Sequence, residues 1–303
     1  NKIYKENLLL GGKLKIADLV KTLKIIQVSG RDGFYKGEIA DLIHEQMIIN
    51  DGLIRKEDLA SYEVNLHKPI KTSYRGNKIF AMGAPSGGGI VVLTALNVLE
   101  CFQLSQLTPN SARTYHLIAE AMKFAHHNRA KYVGDPSFSK IPYDMLLSKK
   151  LACKKAREIN LKKASTPKQT ARAGSKINDS YKESKDTTHY SIVDKDGNAV
   201  SVTYTLGYSF GSGVTIPGTG ILTNNQMNNF AHSYGINNSY FRSSSPANKL
   251  EPLKRPMSTM TPLMVFDAEG SLKLITGSPG GSQIPGVILQ VLINNLEFNL
   301  DIG

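Results

Sequence analysis

The hydrophobic pattern changes character at residue 187, and that change constrains the fold more than any other feature of the chain. Before it, apolar residues recur at helical spacing. Ile16, Leu19, Val20, Leu23 and Ile26 form one stripe, ended by Ser29-Gly30. Ile39, Leu42, Ile43 and Met47 form a second, up to Asn50-Asp51-Gly52. Glu57-Asp58-Leu59 opens a short piece, and Ile90 to Phe102 and Ala112 to Tyr132 read as two further helices. Tyr74 to Met82 interrupts the series as two strands around Arg75-Gly76-Asn77. After residue 187 the runs become β-branched. Thr188 to Val193 and Ala199 to Leu206 are split by Lys195-Asp196-Gly197-Asn198, a hairpin signal. Leu263 to Phe266 and Leu272 to Thr276 flank a second turn, and a helix-like stretch, Gln283 to Phe298, follows. Helices, then hairpins, then a helix predict an α+β protein.

A basic segment separates the two textures. The chain carries a formal charge of +12, and eight of those net charges fall between Lys149 and Asp186. Ser165-Thr166-Pro167 and Ala173-Gly174-Ser175 mark loop there. Tyr181 is its one aromatic residue, so the segment lacks a stacking platform for single strands. It reads as a solvated connector, and nucleic-acid binding is not expected. No apolar run approaches the roughly 20 residues of a membrane-spanning helix. Cys101 and Cys153 are too few for a disulfide scaffold and leave the redox compartment open. The chain opens on Asn1 and stops at Gly303, soon after its last helix-like stretch, and it is expected to be a piece of a longer protein.

Few residues announce chemistry. The histidines (His44, His67, His116, His126, His127, His189 and His232) do not pair at metal-ligand spacing. Gly87-Gly88-Gly89 opens a helix and either holds an anion on free N–H groups or lets that helix pack closely. Gly277-Ser278-Pro279-Gly280-Gly281-Ser282 lies between a strand and a helix. It reads either as an oxyanion-binding nest of backbone N–H groups or as a tight turn. Thr187 stands where the basic segment meets the first hairpin. It is an ordinary strand start, or a threonine nucleophile whose own α-amine becomes its base once the chain is cut before it.

Eight stretches carry a resemblance. Thr187-Thr188-His189-Tyr190-Ser191 through Thr205-Leu206 resembles the start of the small subunit of γ-glutamyltranspeptidases. Gly220 to Met227, Lys254 to Pro262 and Thr276 to Ser282 are similar to later parts of that subunit. Upstream, Gly33 to Gly37, Gly52 to Leu59, Pro85 to Gly89 and Gly134-Asp135-Pro136 resemble the end of the large subunit. The resemblance implies an N-terminal-nucleophile hydrolase, a four-layer αββα sandwich that is incomplete in this stretch of chain. Residues 1–186 would then end the large subunit, with 149–186 its basic connector, and 187–303 would begin the small catalytic one. One precursor would cut itself before Thr187 into a heterodimer. Its partners would be glutathione or another γ-glutamyl donor, and an amino acid, a dipeptide or water as acceptor. No metal or organic cofactor is implied, and relatives suggest a periplasmic or secreted location.

Carried over residue by residue, Thr187 matches the nucleophile, Thr205 the hydroxyl that orients it, and Gly280 and Gly281 the oxyanion-hole glycines. Ser258 and Thr259 match the pair that binds the donor's α-carboxylate, and Gln226 a residue near its α-amine. Tyr240 falls on the lid loop. Two positions depart from the pattern. The acid that faces the substrate ammonium is here Asn229, and the asparagine that latches the lid tyrosine is here Gly207, so a latch to Tyr240 should be absent. Asn229 also suggests a different enzyme, an acylase for glutaryl-type amides. A catalytically silent homologue used as a binding protein is disfavoured by the intact Thr187, Thr205 and Gly280-Gly281.

Overall fold

Local pattern becomes local structure with few exceptions in the computed structural model, which describes residues 14–166, 187–231 and 246–301. The first elements are α1 (Ala17–Tyr35), α2 (Gly37–Ile49), α3 (Lys56–Ser61), β1 (Ile70–Tyr74) and β2 (Asn77–Ala81). Then come α4 (Gly88–Leu99), α5 (Ala112–Tyr132), α6 (Tyr143–Leu146) and α7 (Lys149–Arg157). The second half supplies β3 (Thr188–Val193), β4 (Ala199–Tyr204), β5 (Thr215–Ile216) and β6 (Ile221–Leu222). It closes with β7 (Leu263–Phe266), β8 (Leu272–Thr276) and α8 (Ile284–Phe298). The class is α+β, as expected.

The chain divides into two units, one of residues Asn1–Leu66 with Phe210–Asn225, the other of His67–Ser209 with Gln226–Gly303. In the first, Ile39, Ala40, Ile43, Leu59 and Ile216 form a small core. The expected stop at Ser29-Gly30 is a break rather than an end. Gly30 adopts φ 57°, ψ −137°, and helix resumes to Tyr35. A glycine there makes the positive φ inexpensive.

In the second unit the sheet order is β1-β2-β7-β8, with every neighbouring pair antiparallel. Helix α4 lies in the core with all of its residues buried. Its sequence explains this, since Ile90, Val91, Val92, Leu93, Leu96, Val98 and Leu99 leave no polar face. Its two polar side chains are satisfied, Thr94 donating to the Leu146 carbonyl (3.0 Å) and Asn97 to that of Leu147 (2.9 Å).

The basic segment starts differently from expectation. Lys149–Arg157 is a helix, α7, with Ala152 and Ala156 buried and Ser148 capping its start by accepting the Leu151 N–H. Its apolar face consists of alanines and a cysteine, too small to register as a hydrophobic stripe among lysines. That cysteine, Cys153, is disulfide-bonded to Cys101, just beyond α4. Described chain continues to residue 166, and 167–186 of the expected connector lies outside the described residues, as does Tyr240.

Helix α5 carries a half-buried titratable group. Burial, and then the nearby Arg129 charge, pull the His126 pKa down from 6.5 to about 4. The unfolded chain therefore binds a proton between those values that the folded chain refuses. Stability from this group is full above about pH 6.5 and is lost as pH falls toward 4, by at most about 3 kcal/mol. Urea unfolding of His126→Gln at pH 7 and pH 4.5 should show a smaller acid loss than the parent. An equal loss would place the acid sensitivity elsewhere.

Candidate active site

The site is assembled from four segments of the second unit, and hairpin register supplies the first. Strands β3 and β4 pair antiparallel with Thr188 opposite Tyr204. Thr187 and Thr205 are the next residues beyond that outermost pair, at the open end of the hairpin. Thr187 is 8% exposed. The Thr205 hydroxyl oxygen accepts the Gly207 N–H at 2.9 Å. Gly207 itself has φ 98°, a conformation in which the family's asparagine would be strained.

The second segment is the junction from β8 to α8. Gly280 (φ 121°) and Gly281 (φ 53°) turn the chain sharply, and Gln283 closes the turn by donating to the Gly280 carbonyl at 2.8 Å. This places both glycines at the N-terminal end of α8, where backbone dipoles favour negative charge. Gly277, at the start of the junction, has no room for a side chain. An added Cβ would lie 2.2 Å from His189 Nδ1. That imidazole bonds Thr203 Oγ1 (2.8 Å) and Ser191 Oγ (3.1 Å), and burial lowers its pKa. The Ser201 hydroxyl donates to the Thr276 carbonyl at 3.3 Å. The threonine hairpin and the glycine junction are thus fastened to each other.

Ser258 and Thr259 form the third segment. Ser258 N–H donates to the Pro85 carbonyl (3.1 Å) and its own carbonyl accepts the Gly87 N–H (2.8 Å). Thr259 Oγ1 donates to the Gly281 carbonyl at 2.7 Å. These contacts decide the role of Gly87-Gly88-Gly89. A Cβ on Gly88 would lie 1.9 Å from Thr261 Oγ1 and 2.4 Å from the Thr259 carbonyl oxygen, and one on Gly89 2.2 Å from that of Met82. The triplet is there for close packing, and its Gly87 N–H is spent on Ser258.

The turn Gln226–Asn229 completes the site. The Asn229 amide donates to Gln226 Oε1, and the residue is buried. Thr187, Thr205, Gln226, Asn229, Ser258, Thr259 and Gly281 all line one cleft. Gly207 lines it too, together with Met260 and Ile284, which sequence reasoning did not single out. Gly280 is the neighbour of a lining residue rather than one itself. Sequence reasoning also missed the scaffold behind the cleft. Asp135 accepts the N–H groups of Ser137 (2.9 Å) and Arg255 (2.7 Å). Asn248 bonds both the Asn229 and the Met257 backbone. Among the described residues no group of three or more His, Cys, Asp or Glu could hold a metal ion.

Comparison with known proteins gives the same picture. The family model for gamma-glutamyltranspeptidase matches residues 3–303. The glutathione hydrolase proenzyme of Escherichia coli (strain K12) is 43% identical over 98% of this chain and 50% of its own length. The acylase ACY 1 proenzyme of Pseudomonas sp. (strain SE83) is 34% identical over 96% of this chain and 49% of its own. Among solved structures, a cephalosporin acylase from Bacillus halodurans superposes with a TM-score of 0.80 at 30% identity, covering 97% of this chain and 49% of that one. The chain therefore spans about half the length of the curated relatives it matches, and its fold is of the N-terminal-nucleophile hydrolase type. With the match running from one end to the other and the threonine pair, the glycine junction and the Ser258-Thr259 segment in one cleft, the chain belongs to the gamma-glutamyltranspeptidase family.

Proposed function

We infer that this chain is the middle of a self-cleaving γ-glutamyl hydrolase and transpeptidase, with residues 1–186 ending its large subunit and 187–303 beginning the small one. The observation that carries the reading is the meeting of Thr187, Thr205 and Gly281 with Gln226, Ser258 and Thr259 in one cleft. In the precursor, Thr187 Oγ attacks the Asp186 carbonyl carbon. The Asp186–Thr187 C–N bond breaks, its nitrogen takes the hydroxyl proton, and an ester remains. Water hydrolyses that ester and leaves Thr187 with a free α-amine. In turnover this amine accepts the Thr187 hydroxyl proton as Oγ attacks the γ-carbonyl of glutathione or a similar donor. Backbone N–H groups of Gly280 and Gly281 stabilise the oxyanion. The proton passes to the leaving amine, and water or the amine of an amino acid or dipeptide then resolves the acyl-enzyme. Thr205, whose oxygen accepts from Gly207, keeps its own proton to donate to Thr187. The proteins sharing this architecture suggest a periplasmic or secreted enzyme of two subunits. Steady-state turnover of γ-glutamyl-p-nitroanilide by the full-length protein tests the activity. Its absence alongside turnover of the glutaryl anilide would replace this reading with an acylase.

Asn229 is the observation that favours that second reading. A donor ammonium facing an asparagine gains a neutral hydrogen bond where a carboxylate would give a charge-assisted one. The difference is about 1–2 kcal/mol, or roughly tenfold in binding. Asn229→Asp should lower KM for the γ-glutamyl anilide by about that factor and narrow any glutaryl acceptance. If both substrates respond alike or not at all, Asn229 does not face the ammonium.

A further inference from the structure

We propose that Asn248 is a positioning residue for the donor site, holding the Gln226–Asn229 turn and the Ser258–Thr259 segment at a set separation. The proposal rests on the γ-glutamyl reading for what the cleft binds, and on geometry alone for the tie itself. Asn248 is 0% exposed. Its Nδ2 donates to the Asn229 carbonyl at 2.7 Å and its Oδ1 accepts the Met257 N–H at 3.0 Å. Its own carbonyl accepts the Ala231 N–H at 3.0 Å. The turn that carries it, Pro246–Asn248, rests on Gly134, where a Cβ would lie 2.0 Å from the Ala247 carbonyl oxygen.

The chemistry of the tie is specific to an amide. One side chain must supply a donor to one segment and an acceptor to the other, at full burial. Aspartate supplies only the acceptor, and alanine supplies neither. Neither segment is a long strand. No regular ladder links them among the described residues. The reacting groups have supports of their own, Thr187 and Thr205 from the adjoining β3–β4 pair and Gly280-Gly281 from β8 and α8, to which the Thr259 hydroxyl on the Gly281 carbonyl is added. Loss of Asn248 should therefore misplace the groups that bind the donor while sparing those that react with it. Displacements on the order of 1 Å are enough to matter at such a site.

The test uses Asn248→Asp and Asn248→Ala in the full-length enzyme. Both variants should self-cleave at the parental rate and keep kcat within about twofold, while KM for γ-glutamyl-p-nitroanilide rises about tenfold. Hydrogen–deuterium exchange reads the tie without any donor. Asn248→Asp should raise exchange in residues 226–231 while sparing 257–259, and Asn248→Ala should raise it in both. If the aspartate variant fails to fold around its buried charge, the alanine variant carries the test alone. An unchanged KM, or exchange unaltered in both segments, overturns the proposal. If the parent itself turns over no γ-glutamyl anilide, the donor reading fails while the exchange result still decides the role of Asn248.

Discussion

Thr187→Ala should leave the full-length precursor as a single chain with no detectable turnover. On the proposed mechanism both self-cleavage and acyl transfer need the hydroxyl of Thr187, which lines the cleft just beyond the last β3–β4 pair. Removing a nucleophile costs far more than removing a binding contact, on the order of 10⁶-fold in kcat for residues that act as a unit. Denaturing gel electrophoresis and intact mass should show two chains for the parent, one beginning at Thr187, and one chain for the variant. Cleavage of the variant at the same bond would mean that another group attacks Asp186. Thr205→Val, which keeps the shape of the side chain and deletes its hydroxyl, should slow self-cleavage without abolishing it. The two variants separate attack from orientation.

Glu297→Ala should cost the fold about 3–5 kcal/mol. The Glu297 side chain on α8 is 3% exposed, and it accepts the Tyr74 hydroxyl and, at 2.7 Å, Arg75 Nε. Tyr74 is itself fully buried, and burial followed by the Glu297 hydrogen bond pushes its phenol above the usual range. The β1–β2 turn is thereby locked to the last helix. Truncating the carboxylate strands a buried hydroxyl and half of an ion pair, a larger penalty than the pair's net contribution. Arg75 is 28% exposed on its side chain, so water can recover part of its loss and the effect should fall toward the lower end of the range. Urea unfolding should show a lowered midpoint at constant m. A change under about 0.5 kcal/mol would mean that water already competes for these groups. In Tyr74→Phe/Glu297→Gln the stranded hydroxyl is gone, and part of the stability should return.

Helix α5 follows its expected limits residue for residue, and the β1–β2 and β3–β4 hairpins form where turn residues interrupt β-branched runs. These features are local, written in spacings of two to four residues and in the few side chains that tolerate a turn. The register of β3 and β4 is also local, because the turn at Lys195-Asp196-Gly197-Asn198 sets it. That register leaves Thr187 and Thr205 as the next residues beyond its outermost pair, a proximity open to deduction from the chain although only the resemblance pointed to it. Helix α7 was less legible, since its buried face is alanine and cysteine while its lysines dominate any reading of charge.

What the sequence by itself determined was the class of fold, the threonine at the loop-to-strand junction and the glycine-rich turn before the last helix. Each depends on neighbours close in the chain. Tertiary structure alone decided that Cys101 meets Cys153 across 52 residues, that Gly88 yields its space to Thr259 and Thr261, and that Asn248 bridges Asn229 and Met257. Spacing along the chain does not encode such contacts. They arise when distant segments are packed to the density of a protein interior, where every missing Cβ and every buried amide must find its counterpart.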